Sequence, residues 1–273
     1  MVFNYFKKKK EFNKICKDIK LIKIQGAKNV ALFALKAYYL FPSKKSKKKL
    51  LSLRPTEPML LKVLDLAETK SQKEILDHFK NSQKKINENI FKLIKNKEII
   101  FTHCHSTNVI NSLIYAKKHK KNFEVYNTET RPLFQGRITA KELSRNKIKI
   151  TQFVDAALGI ALSKEQGTKK VSKVFLGADA ILKNGAINKI GSEVIATIAK
   201  QQKIPVYIVA DSWKFTDKEL KIEQRSLNEI WDKAPKNIKL KNPAFEFIDK
   251  KYIKAIVSEL GVLSYKEFLE KAE

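Results

Sequence analysis

A change of hydrophobic period near residue 98 constrains the fold of this 273-residue chain more than any other feature. Over residues 11–97 apolar side chains recur at helical spacing: Ile15, Ile19, Ile22 and Ile24, then Leu60, Leu61, Leu64 and Ala67, with breaks at Pro42 and Pro55. From Glu98 onward short β-branched runs alternate with helical ones. Strands are expected at 99–102, 123–127, 150–154, 174–176 and 205–209, and helices at 107–118, 140–146, 156–164 and 193–202. The sequence therefore predicts an α/β chain. A helical N-terminal domain, residues 1–96, precedes a Rossmann-like catalytic domain, residues 97–273, built on a doubly wound parallel sheet. Neither GxGxxG nor GxxxxGK[ST] occurs, so the nucleotide loops with clear sequence marks are absent.

Charge narrows the choice of partner. The chain has 56 basic against 28 acidic side chains, a formal +28, which points to anionic partners such as nucleic acid or a phosphorylated substrate. All but five of the basic residues are lysines, which act as solvated point charges. The runs Lys7 to Lys10 and Lys44 to Lys49 read as solvated faces with no specific role. Two cysteines far apart in sequence, Cys16 and Cys104, neither form a disulfide framework nor make a zinc site alone, which fits a reducing cytoplasmic setting. The most apolar stretch, 30–41, is too short to cross a bilayer and is broken by Lys36, so no membrane span is expected. Apolar residues precede the first lysines, the reverse of a signal peptide, so secretion is not expected either.

In an open parallel sheet ligands bind beyond the carboxyl ends of the strands. Those ends here carry Thr102-His103-Cys104-His105-Ser106, Glu129-Thr130-Arg131-Pro132, Asp155, Gly177-Ala178-Asp179 and Asp211-Ser212-Trp213-Lys214. Six of the eight glycines fall between Gly136 and Gly191, and Arg54, Arg131 and Arg137 are scarce guanidinium forks suited to phosphate. Plainer roles exist for each: Asp155 and Asp179 as helix caps, Arg131 as a partner of Glu129, Cys104 as a small buried hydrophobe. Flanked by two of the four histidines, Cys104 occupies a setting that can lower its pKa toward working pH. Zinc binding by His103, Cys104 and His105 is disfavoured, because neighbours in an extended segment point to opposite faces. Ser106 or Thr107 could cap the following helix and aim its free N–H groups at an anion.

At these segments the sequence resembles the initiation factor 2B related sugar-phosphate isomerases. The resemblance extends through Thr128-Glu129-Thr130-Arg131-Pro132, Gln135-Gly136-Arg137-Ile138-Thr139-Ala140, Gly177-Ala178-Asp179, Asn188-Lys189-Ile190-Gly191, Trp213-Lys214-Phe215 and Asn242-Pro243-Ala244-Phe245. Enzymes of that family keep a cysteine in the first motif and an aspartate in the fourth, as here, whereas regulatory subunits generally lose the pair. The resemblance implies an aldose–ketose isomerisation of ribose 1,5-bisphosphate to ribulose 1,5-bisphosphate. Cys104 would be the proton acceptor and Asp179 the proton donor, with no metal or cofactor required. It further implies substrate contacts from Gln25, Gly26, Ala27, Lys28, Arg54, Asn188, Lys189 and Lys214, with Gln135 reaching a sugar hydroxyl. Gln25 stands where the family has arginine, which leaves Lys23 or Lys28 to compensate. The 184–189 segment is one residue shorter than usual, which could shift Asn188 and Lys189. A homo-oligomer, dimer or hexamer, is usual for the family, and residues 252–263 are apolar enough for an interface or for plain core packing.

Other functions are a non-catalytic regulatory subunit, favoured by the charge and by Ala156-Ala157-Leu158-Gly159, and a methylthioribose-1-phosphate isomerase, disfavoured by the lysines near both ends of the site. Specific nucleic-acid binding is not expected.

Overall fold

The computed structural model describes residues 2–55, 57–220, 222 and 225–272; Thr56, beside Arg54 and Pro55, lies outside them. Five helices open the chain: α1 (Val2–Lys20), α2 (Ala27–Leu40), α3 (Lys44–Leu51), α4 (Pro58–Leu66) and α5 (Gln72–Leu93). Local chemistry sets their starts. The Ser43 hydroxyl accepts from the Ser46 N–H at α3, Pro58 occupies the first turn of α4 where no N–H is needed, and Ser71 with Glu74 forms a reciprocal capping box at α5. Ile19, Val30, Leu35, Leu60 and Leu64 close a core among these helices. The long α5 serves two cores, with Ile75 and Phe79 in the helical one and Ile86 and Ile90, joined by Ile94 just past its end, against the sheet.

The chain continues through β1 (Glu98–Thr102), α6 (Thr107–Lys118), β2 (Phe123–Thr128), α7 (Gln135–Arg145), β3 (Lys149–Phe153), α8 (Leu158–Ser163) and β4 (Lys173–Leu176). After these come β5 (Ala180–Ile181), β6 (Gly185–Lys189), α9 (Ser192–Gln201), β7 (Val206–Val209), β8 (Phe245–Asp249), β9 (Ala255–Ser258), β10 (Gly261–Leu263) and α10 (Tyr265–Ala272). Seven strands form one sheet in the order β3-β2-β1-β4-β7-β9-β10, parallel except for the antiparallel β10. The order reverses direction between β1 and β4, and this switch point opens a crevice at their carboxyl ends.

The five expected strands are β1, β2, β3, β4 and β7, each within one residue at either end. The helix expected at 140–146 starts earlier, at Gln135. Phe134 adopts a left-handed conformation (φ 56°) just before it, and Gly136 lets the first turn lie against the Thr128 carbonyl, where a Cβ would stand 1.7 Å from the oxygen. Not foreseen is a second antiparallel sheet, β5-β6-β8, beside the crevice. Segment 252–263 packs as core: Ile253, Ala255, Ile256 and Val257 are buried against the sheet. Among the described residues no helix is long and apolar enough to cross a membrane.

Candidate active site

Ten expected site residues line one cavity of about 370 Å³ between the helical layer and the switch point. Gln25, Gly26, Ala27, Lys28 and Arg54 come from the helical part; Cys104, Asp179, Asn188, Lys189 and Lys214 come from strand ends and the loops beyond them. The shorter 184–189 turn still brings Asn188 and Lys189, on β6, into the same cavity as Asp179. Arg131 and Arg137 are placed elsewhere. Arg137 is held by Glu129 at 2.6 Å, and Arg131 donates to the Ile230 carbonyl, both lying over the Phe134 ring. Asp155 neither lines the cavity nor caps α8; its two oxygens accept the backbone N–H groups of Thr130 and Arg131.

Two helices begin at the cavity wall. Gly26, with a φ of 83° that favours glycine, precedes α2, and Ser106 precedes α6; neither first turn is closed by a side-chain cap. The N–H groups and positive dipole ends of both helices therefore favour anions. Ser106 thus sits at the expected cap position without capping. Close approach of β4 to β1 helps build this wall, since a Cβ on Gly177 would lie 2.7 Å from the Ser106 side chain.

Cations surround the same space. Lys214 is buried and donates to the Ala178 carbonyl, while Lys189 lies 5.0 Å over the Phe245 ring. Burial holds Lys28 below the usual lysine range; Asp211 opposes this and Lys214 reinforces it. Arg54 is buried with Glu57, 3.1 Å away. Lining residues that sequence reading did not find include Glu57, Asn29, Asn108 and Arg225, whose Nε and Nη2 grip Glu229. Arg225 belongs to the scarce arginine set that first drew attention to Arg54, so the signal existed. The Gln135 Oε1 is buried with no hydrogen-bond partner in the described structure, and Gln135 lines the cavity.

The segment 103–105 is not extended. Cys104 takes a left-handed conformation with φ 63°, so the opposite-face argument against zinc does not apply. His103 is instead engaged at both nitrogens. Its Nε2 lies 2.8 Å from the Ile190 carbonyl, which can only accept, so Nε2 carries the proton and Nδ1 accepts from the Thr128 hydroxyl at 2.5 Å. Burial pulls its pKa down to about 4, and His105 is lowered for the same reason. Both imidazoles are thus neutral near pH 7 and cannot lower the thiol pKa by charge. Burial pushes Cys104 up to about 11, against the opposing effects of Lys189 and the His105 backbone N–H and aided by the charges of Asp179 and Asp155.

Alkylation of Cys104 by iodoacetamide, followed by site-resolved mass spectrometry, is therefore expected to be slow at pH 7.5 and to climb toward pH 11. A rate that levels off below pH 9 would contradict the half-buried, protonated thiol.

A network at the seam joins the two layers. His78 on α5 meets Asp211 at 3.1 Å, and Ser82 on α5 donates to Asp211 at 2.5 Å with Glu259 at 3.2 Å. Trp213 stacks on His78 at 3.5 Å, one residue from Lys214. Among the described residues only His78, Asp211 and Glu259 bring three ligand-type atoms within 4.8 Å of one another. His78 and Asp211 already contact each other, Ser82 bridges Asp211 and Glu259, and the Ser212 N–H donates to Glu259.

The model of the initiation factor 2 subunit family matches residues 23–265. The chain is 32% identical to the ribose 1,5-bisphosphate isomerase of Archaeoglobus fulgidus, over 90% of this chain and 87% of that one. It is 33% identical to the methylthioribose-1-phosphate isomerase of Fervidobacterium nodosum, over 78% and 65%. The crystal structure of translation initiation factor eIF-2B from Pyrococcus horikoshii shares the fold, with a TM-score of 0.81 and 24% identity over 93% of this chain and 96% of that one.

Proposed function

Because the chain belongs to the initiation factor 2 subunit family and resembles sugar-phosphate isomerases over most of its length, it is a sugar-phosphate isomerase, and we propose that its substrate is ribose 1,5-bisphosphate. The product is ribulose 1,5-bisphosphate, Cys104 is the proton acceptor and Asp179 the proton donor. One observation carries the choice of substrate. A single cavity holds two helix N-termini without side-chain caps, α2 and α6, together with Lys28, Arg54, Lys189 and Lys214, which suits a molecule with a phosphate at each end. An uncharged thioether in place of one phosphate would leave part of that positive field unanswered.

The proton transfers balance. Asp179 protonates the ring oxygen as its bond to carbon 1 breaks, and the Cys104 thiolate removes the proton from carbon 2, leaving an enol across carbons 1 and 2. Cys104 then returns its proton to carbon 1 while the Asp179 carboxylate accepts the proton of the carbon 2 hydroxyl, which restores both groups. This cycle starts from a thiolate and a carboxylic acid. The Asp179 charge is one of the causes that raise Cys104, so passing a proton from thiol to carboxylate removes that cause, and Lys189 steadies the thiolate formed. Gln135 accepts a sugar hydroxyl at its buried oxygen. Gln25 supplies no charge, and Lys23 and Lys28, which line the same wall, neutralise the phosphate there.

Phosphorus NMR of the protein with ribose 1,5-bisphosphate is the direct test, with Cys104→Ser alongside. Conversion by the wild type alone is expected. A folded protein that leaves this compound untouched but converts methylthioribose 1-phosphate would replace the proposed substrate.

A further inference from the structure

The peptide that carries the proposed base is held on both sides by threonine hydroxyls. The Cys104 N–H donates to Thr130 Oγ1 at 3.0 Å, and the Thr139 hydroxyl donates to the Cys104 carbonyl at 2.7 Å. Both threonines are fully buried. Thr139 sits on α7, and Thr130 lies in the segment between β2 and α7, so one connection beside β1 supplies both contacts.

Their surroundings fix them in turn. A carbonyl offers no proton, so the Thr139 proton is committed to Cys104; His105 Nδ1, 3.1 Å from Thr139 Oγ1, must therefore be the donor in that contact. Thr130, itself left-handed with φ 62°, donates its N–H to Asp155 Oδ1 at 2.9 Å. Asp155, outside the cavity, thus fastens the residue that fastens the cysteine backbone.

The conformation being held is one that an L-residue with a Cβ disfavours. At Cys104, with φ 63°, the backbone turns back at the end of β1 and the thiol enters the cavity that Asp179 also lines. An extended backbone would carry the side chain elsewhere. Hydrogen bonds from buried partners offset such strain, and their loss would leave the Cys104 carbonyl or N–H without a partner inside the protein.

We propose that Thr139 and Thr130 are positioning residues that clamp Cys104 in its left-handed conformation and thereby set its alignment for proton transfer. The proposal rests on Cys104 as the base, and alkylation of the thiol gives it a readout that does not depend on substrate. Thr139→Val removes the hydroxyl at nearly constant volume, and Thr139→Ser keeps it.

Thr139→Val is expected to lower kcat by about 10- to 100-fold, the scale of a small misplacement of a reacting group, with KM within about twofold of the wild type. Thr139→Ser should restore most of kcat. At pH 9 the released thiol should be alkylated about fivefold faster in Thr139→Val than in the wild type, whereas Thr139→Ser keeps the wild-type rate. Thr130→Val and Thr130→Ser form the second pair and carry the test if Thr139→Val does not fold. Unchanged kcat together with unchanged alkylation in the valine variants would overturn the clamp, as would failure of serine to rescue. Absence of turnover in every protein would instead count against the substrate, and the alkylation contrast would still decide on the clamp.

Discussion

Cys104→Ser and Asp179→Asn are each expected to lower turnover by about 100-fold or more, the usual scale for removing a positioned base or acid. A serine hydroxyl ionises far above a thiol and is a poor base at any pH the protein tolerates. An asparagine amide cannot give up and recover a proton as the carboxyl does. Both side chains lie at strand ends rather than in a packed core, so the variants should fold and melt close to the wild type. Steady-state kinetics beside thermal melts separates lost chemistry from lost structure. The double variant should be little worse than either single one, because the two residues act as a unit. Turnover near the wild-type level in either single variant would remove that residue from its role.

Gly136→Ala is expected to be the most damaging single methyl added to the chain. Its Cβ would lie 1.7 Å from the Thr128 carbonyl oxygen and within 2.9 Å of two further backbone atoms, none of which can rotate away. The first turn of α7 would have to leave the end of β2. Such a clash belongs with the largest single-residue effects, about 4 kcal/mol or more. For a chain of this size that corresponds to a fall of about 10 °C or more in Tm. Gly159→Ala is the matched control. It sits in α8 with nothing within 4 Å of the added carbon, so alanine should be neutral or slightly stabilising through helix propensity. If both variants melted alike, the close contact between α7 and β2 would not hold.

The large features of the fold were legible because they rest on periodicity. Ile15 and Ile19, or Leu60 and Leu64, declare a helix face, and the β-branched runs at 99–102 and 174–176 declare buried parallel strands. The small sheet was not legible. β5 has two residues, and β6, Gly185–Lys189, includes a glycine, an asparagine and a lysine that local preference assigns to a turn. Those residues pair as strands because β8, far along the chain, lies antiparallel against them.

Site residues were legible as a location, since strand ends can be read from the strand pattern. Beyond Arg54, which arginines face the cavity could not be read. Arg137 is taken up by Glu129, eight residues earlier, whereas Arg225 enters the cavity just ahead of a one-turn helix at Leu227–Glu229. The thiol shows the same limit. Flanking histidines lower a cysteine only when they are charged, and the burial that keeps His103 and His105 neutral, against the Ile190 carbonyl at one and Glu142 at the other, is made by residues far away in sequence.

The seam through His78, Ser82, Asp211 and Glu259 has a consequence for how such a protein can diversify. The proposed proton-transfer pair comes from the strand ends of the sheet, Gly26, Lys28 and Arg54 come from the helical layer, and the seam network is built from His78, Ser82, Asp211 and Glu259. Two layers thus contribute separate parts of one cavity wall, so substitutions in α2 can alter the fit of the substrate's far end without replacing either residue of the proposed proton-transfer pair.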